Sequence, residues 1–201
     1  MNNHIPEQHE GSQMDIHAQT RIDDLHQARD FYKKVKMKLL NASKWHEVCK
    51  VPVSIFMLTD GLGNEIHRPL QQGDHLKIDI PGPGTSTGEG YDWVVVEEVF
   101  EESTGDTELL SVTVRPAPNP KSGKTDVAHF FKDAATSTFQ VRRIAHEIHA
   151  EVHGRNEQPN THTDNTVDNV RNTLVGVSAR LGLSFPQWKS LVAGLVEKDQ
   201  S

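Results

Sequence analysis

One cysteine, Cys49, is all that 201 residues offer, which excludes an internal disulfide framework and a cysteine-rich zinc module. No run approaches the ~20 apolar residues that a membrane-spanning helix requires. The first residues, MNNHIPEQHEGSQ, lack a basic n-region and an apolar h-region, so no secretory signal is read from them. Positive charge is also scarce. The 21 Lys and Arg face 28 Asp and Glu, and the resulting net charge of −7 argues against nucleic acid as the main partner. The expectation from these exclusions is a cytoplasmic protein without a membrane anchor.

What is present suffices for one core. Apolar side chains make up 35% of the chain, and counting glycine raises this to about 42%, slightly under the ~45–50% of ordinary globular chains. The length suits a single domain. Residues 1–13 have no hydrophobic period and read as a disordered polar tail, leaving 14–201 as one α+β domain. Ile16, Ile22, Leu25, Ala28, Phe31 or Tyr32, Val35 and Leu39 recur at three- and four-residue steps, which predicts one long N-terminal helix over 14–43. So long a one-sided helix needs a surface to cover it, and a homodimer is the expected arrangement.

Residues 51–133 read as an antiparallel β-sheet or small barrel. The run Val51–Leu58 is apolar and β-rich, and residues 75–80 alternate strictly. Residues 93–100 and 109–115 add two strands, joined by a turn at 103–106. A short apolar run at 127–131 completes the β part. Residues 137–198 then read as three C-terminal helices. The first follows a Ser137/Gln140 capping box, carries the stripe Val141, Ile144, Ala145, Ile148 and Val152, and ends at Gly154. The second carries Val167, Val170, Leu174, Val177 and Leu181, ending at Gly182. The third follows a Ser184/Gln187 capping box and carries Trp188, Leu191, Val192 and Leu195.

Several motifs bear on chemistry. Residues 84–88 spell G-x-S-x-G, but a nucleophile elbow needs a following helix, and the sequence continues as a strand. Ser122-Gly123-Lys124-Thr125 resembles the end of a phosphate-binding loop, yet the required first glycine is Pro118. Cys49 lies near His46, without any third group to make a catalytic set. The chain is histidine-rich, with 12 in total. On the predicted helix, His146, His149 and His153 form a row, and His149 and His153 have the i, i+4 spacing that lets two imidazoles hold one metal. A zincin motif fails, because Ala150 stands where its glutamate belongs.

The polar loop after Gly154 concentrates Arg155, Asn156, Glu157 and Asn160. An arginine offers paired donors to a carboxylate or phosphate, and asparagines can orient the same ligand. The leading expectation is therefore a non-catalytic binding or assembly module. It needs no cofactor and engages a protein or a small anionic ligand through that loop. The alternative is a metal-assisted hydrolase holding zinc or another divalent transition metal on His146, His149 and His153. A third reading takes residues 167–197 as a helix-turn-helix, though its second helix offers few base- or phosphate-contacting side chains.

Overall fold

Met14, Ile16, Ala18 and Thr20 alternate with Asp15, His17, Gln19 and Arg21. That period of two makes strand β1, Ser12–Arg21. The computed structural model describes residues 4–50, 54–80, 85–161 and 185–198. After β1 come helix α1 (Leu25–Leu40), a 3₁₀ turn (Ala42–Lys44) and the short helix α2 (Trp45–Val48). Six strands follow: β2 (Ile55–Thr59), β3 (His75–Asp79), β4 (Asp92–Thr104), β5 (Thr107–Pro116), β6 (Thr136–Ile144) and β7 (Glu147–Glu157). Helix α3, Phe185–Leu195, is the last element.

The seven strands form one antiparallel sheet in the order β1-β7-β6-β5-β4-β3-β2. Strands β2 to β7 are laid down in sequence, each beside the last. The chain then closes the order by seating β1 against β7, so the segment carrying α1 and α2 links the two edge strands. The core lies on one face of this sheet. Ala28, Val35 and Leu39 of α1, and Leu191, Val192 and Leu195 of α3, are buried there against Phe139, Val141, Ile148, Ala150 and Val152. Helix α1 packs on β6 and β7, and α3 on β1 and β7. Trp45 anchors the centre. Its ring sits 4.7 Å from that of Phe139, and its Nε1 donates to the Leu39 carbonyl at 3.0 Å.

Two elements differ from the sequence expectation. The long helix over 14–43 starts only at Leu25, capped by the Asp24 side chain, which accepts from the Gln27 amide. Residues 14–21 before it are β1. The expected first C-terminal helix is instead the β6–β7 hairpin, so the count of one long and three C-terminal helices does not hold. The cause is a coincidence of periods. Residues i and i+4 share a face both in a helix, where they differ by about 40°, and in a strand, where every even step does. Ile148 and Val152 therefore fit either state, whereas Ile144, counted in the same stripe, ends β6 before the turn and is exposed. The deciding residues were Ala150 and Gly154, which complete the alternation Ile148-Ala150-Val152-Gly154 against Glu147-His149-Glu151-His153-Arg155. The hairpin turn carries no Asn-Gly signal. Ala145 takes the left-handed conformation there, at φ +51°.

Other expectations coincide with the fold. Strands β2 to β5 fall on the predicted runs, and Thr104 pairs with Thr107 across Gly105 and Asp106 as the turn required. The run at 127–131 makes only an isolated bridge, Phe131 to Pro159. Helix α3 matches the third predicted helix. The stripe from Val167 to Leu181 lies outside the described residues. The apolar face of α1 is buried on its own sheet, which removes the premise from which a homodimer was expected.

Two outcomes follow from this packing. Gly194 on α3 touches α2 so closely that a methyl group would collide with the Val48 carbonyl oxygen. Gly194→Ala is expected to cost about 1–3 kcal/mol in urea unfolding, since backbone must move to admit it. Cys49 is buried, its Sγ 3.9 Å from the Gln187 carbonyl, and burial pushes its thiol up to about 11. Native protein should therefore resist thiol reagents at pH 8 and react on unfolding; rapid native labelling would contradict this burial.

Candidate metal centre on the outer sheet face

The face of the sheet away from the helices is polar. Along β1 it presents Asp15, His17, Gln19 and Arg21, and along β7 Glu147, His149, Glu151, His153 and Arg155. The register fixes which side chains meet: Asp15 lies opposite His153, His17 opposite Glu151, and Gln19 opposite His149. Residues directly opposite or diagonal across an antiparallel pair are within side-chain reach. His17 Nε2 consequently lies 3.2 Å from His149 Nδ1, with the rings stacked at 5.5 Å. Glu151 completes a cluster in which one donor atom from each of His17, His149 and Glu151 lies within 4.8 Å of the others.

The neighbouring groups fix this cluster. His153 makes two contacts, Nε2 with Glu151 at 3.0 Å and Nδ1 with Asp15 at 2.5 Å. Arg155 donates to Asp15 at 2.7 Å and to the Met14 and Gly154 carbonyls at 3.1 and 2.8 Å. Burial alone would push His153 down, but the hydrogen bonds to Glu151 and Asp15 outweigh it, and its net shift is upward. The bond from His153 holds Glu151 below the usual carboxylate range against the opposing effect of burial. Asp15 is likewise held low; burial opposes the shift, while His153 and Arg155 drive it. Two carboxylates, Asp15 and Glu151, thus face one imidazole and one guanidinium. On the far side of His149, Nε2 is buried without a hydrogen-bond partner, and Glu147 Oε2 lies 3.6 Å from it.

Beside this cluster the outer face bears buried polar residues. Thr113 and Thr138 share a hydrogen bond of 3.0 Å, and Gln140 donates to Ser111 at 3.1 Å. The N-terminal segment crosses this region. His4 stacks on Phe100 of β4 at 3.5 Å, while the Asn156 side chain at the end of β7 holds residues 7–10. Residues 4–11, expected as a tail, are thus a strap over the sheet.

The sequence-predicted site residues are divided among these features. Of His146, His149 and His153, only His149 belongs to the three-donor cluster. His153 is its neighbour, and His146 sits at the hairpin turn with Nδ1 3.1 Å from the Ile22 carbonyl. On a strand, His149 and His153 share a face but are separated by Glu151, so the helical two-histidine pairing does not form. Arg155, Asn156, Glu157 and Asn160 bind this chain itself. Glu157 accepts from Ser12 Oγ at 3.2 Å, and Asn160 donates to the Val127 and His129 carbonyls, each at 3.2 Å. His17 and Asp15 were missed, although the alternation of residues 14–21 marks β1 and would have placed them, and Glu151 was missed because β7 was read as a helix. Among the other motifs, Thr85 Oγ1 closes a turn with Gly88 and Tyr91, Ser122 Oγ bonds Asn119 in another, and His46 lies on α2. Gln187 of the supposed recognition helix is buried and accepts from the Ser54 amide.

Fold and cluster together define a helix-covered antiparallel sheet with a histidine–carboxylate site on its open face. No family model matches the chain, and no curated protein matches it. Among solved structures it is similar to a hypothetical protein from Helicobacter pylori, at 14% identity and TM-score 0.49, covering 92% of this chain and 88% of that one. It is also similar to a protein from Arthrobacter aurescens (10%, TM-score 0.43, 94% and 88% covered). A third is truncated norcoclaurine synthase from Thalictrum flavum (11%, TM-score 0.39, 96% and 100% covered). At these identities and scores the likeness assigns neither a family nor an activity.

The His153 contacts carry a pH signature. A histidine whose pKa is raised on folding adds stability that is complete below its unfolded value, near 6.5, and lost as pH rises through its folded value. His153→Gln should therefore lower the denaturation midpoint more at pH 5.5 than at pH 9. An equal loss at both pH values would mean that the imidazolium is not what binds Asp15 and Glu151.

Proposed function

We propose that the protein is a non-catalytic binding module whose ligand is a divalent transition-metal ion held by His17, His149 and Glu151. The observation that carries this reading is the approach of His17 Nε2 to His149 Nδ1, at 3.2 Å, with Glu151 beside them. Two imidazole nitrogens bound to one tetrahedral zinc at ~2.0–2.1 Å each lie about 3.3 Å apart. The hydrogen-bonded pair of rings holds that spacing. His149 Nε2 supports the same reading. A metal on Nδ1 leaves the proton on Nε2, facing Glu147, and carboxylates commonly orient ligating histidines in this way. His153 does the corresponding work for Glu151, fixing one carboxylate oxygen and leaving the second for the ion.

Binding is favoured over hydrolysis by the state of the surrounding carboxylates. A metal-assisted hydrolase needs a base free to take a proton from the bound water. Asp15 is engaged by both His153 and Arg155, and Glu151 by His153. Glu147 lies 3.7 Å from Arg21 and is the carboxylate that faces His149.

The test is a zinc and cobalt titration of untagged, chelator-treated protein. About one equivalent of zinc should bind, cobalt should give the intense visible bands of a low-coordinate site, and His149→Ala and His17→Ala should each remove both. Zinc binding that survives both substitutions, or no binding in the unaltered protein, would sink the reading.

A further inference from the structure

We propose that the N-terminal strap positions the metal site, so that strap docking and metal binding strengthen one another. This rests on the metal reading above and concerns the regulation of that site. The connection is a run of named contacts. Asn156 takes the left-handed conformation at φ +55°, which aims its amide at the strap. Its Oδ1 accepts from the His9 and Glu10 amides at 2.7 and 3.2 Å, its Nδ2 donates to the Glu7 carbonyl at 3.0 Å, and its backbone amide donates to Gln8 Oε1 at 2.9 Å. Every polar atom of this side chain is thus spent on residues 7–10.

Next to Asn156 in the chain is Arg155, which grips β1 at Asp15 and at the Met14 carbonyl. Asp15 in turn holds His153, and His153 holds Glu151, the proposed carboxylate ligand. Strap and site also share the start of β1. The β1–β7 register shifts between Ser12 and Met14, immediately after Gly11, whose φ of +80° turns the strap out of the sheet. A docked strap therefore tethers β1 on the N-terminal side of Asp15. A released strap leaves that end of β1, beside an irregular pair at an open sheet edge, held by fewer bonds. Asp15 is then less firmly placed, His153 loses one of its two partners, and Glu151 loses the group that orients it. Asn156 and Gln8 act here as positioning residues, since neither reaches the metal.

Coupling between two binding events is reciprocal, and that makes the proposal testable from both ends. Three full-length variants are compared with the unaltered protein. Asn156→Gly keeps the left-handed backbone without strain and removes the clasp. Asn156→Asp retains an acceptor for the His9 and Glu10 amides. Gln8→Ala weakens the strap from its own side and touches no residue of the hydrophobic core. Zinc affinity is measured by competition with a chromophoric chelator, and strap docking by hydrogen exchange of the amides of residues 7–10.

Asn156→Gly and Gln8→Ala should each speed strap exchange and weaken zinc binding, the former by about tenfold, the scale usual for groups that orient metal ligands. Asn156→Asp should recover much of that loss. Conversely, saturating zinc should slow strap exchange in the unaltered protein and leave it unchanged in His17→Ala. Strap release in both clasp variants with zinc affinity intact would overturn the coupling while leaving the metal site standing. Absence of zinc binding in the unaltered protein would overturn the metal reading itself, and the coupling with it.

Discussion

The pairing of β1 with β7 is the interaction on which the rest of the molecule depends. It joins residues 12–21 to residues 147–157, the first and last strands among the described residues, and so ties the sheet's final strand back to its beginning. Its inward side chains, Ile16 against Ile148, Ala150 and Val152, extend the core under α3. Its outward side chains build the cluster. A shift of one residue in this register would exchange the two faces, putting Asp15, His17 and Gln19 against the helices. The burial of Ile16, at 5% exposed, therefore holds His17 opposite Glu151. Core packing and site geometry are two consequences of one alignment.

That dependence explains which parts of the structure were legible beforehand. Strands β2 to β5 could be read locally, because each run is short, β-branched and bounded by glycine turns. Helix α1 was legible from Leu25 onward, where steps of three and four replace alternation. The failures fell at β1, where Ile16 was joined to the stripe of the helix that follows, and at the β6–β7 hairpin, where Ile148 and Val152, spaced by four, satisfied both periods. Residues 144, 148 and 152 were counted towards a helix, and Ala150, too small to weigh as hydrophobic, went uncounted. The three-donor cluster was missed for a related reason. Its donors come from strands separated by about 130 positions in the chain, so no local spacing marks them. Only the recognition of two alternating strands, followed by their pairing, would have brought His17 to His149.

The loop thought to meet a ligand illustrates a second limit. Arg155, Asn156 and Glu157 are residue types that bind ligands because they offer directed, charged or two-sided hydrogen bonding. Those same capacities serve a chain that must fasten its own N-terminal segment. Arg155 satisfies two carbonyls and a carboxylate, and Asn156 meets four strap residues. The polar residues of the N-terminus look like a disordered tail in composition because their partners lie some 150 positions away. A polar segment becomes ordered when another part of the fold presents complementary backbone and side-chain groups.

Charge balance sets the character of the site. Asp15 on the edge strand β1 and Glu151 on its neighbour β7 would repel one another across the pair if they stood there alone. Placed on either side of His153, with Arg155 behind Asp15, each carboxylate instead has a nitrogen partner that compensates its charge. The same array draws part of the negative charge of Glu151 away from His17 and His149, so a dication entering the proposed site would meet two imidazoles and a carboxylate already engaged by His153. Such a site gains less from electrostatic attraction than one with free carboxylates. The proposed site would gain instead from two imidazole nitrogens held near their bound spacing before the ion arrives, which reduces the ordering cost of binding. Selectivity then rests on donor type. Two imidazoles with one carboxylate suit zinc and its borderline neighbours, whereas calcium and magnesium require an oxygen-rich shell that this face of the sheet does not supply.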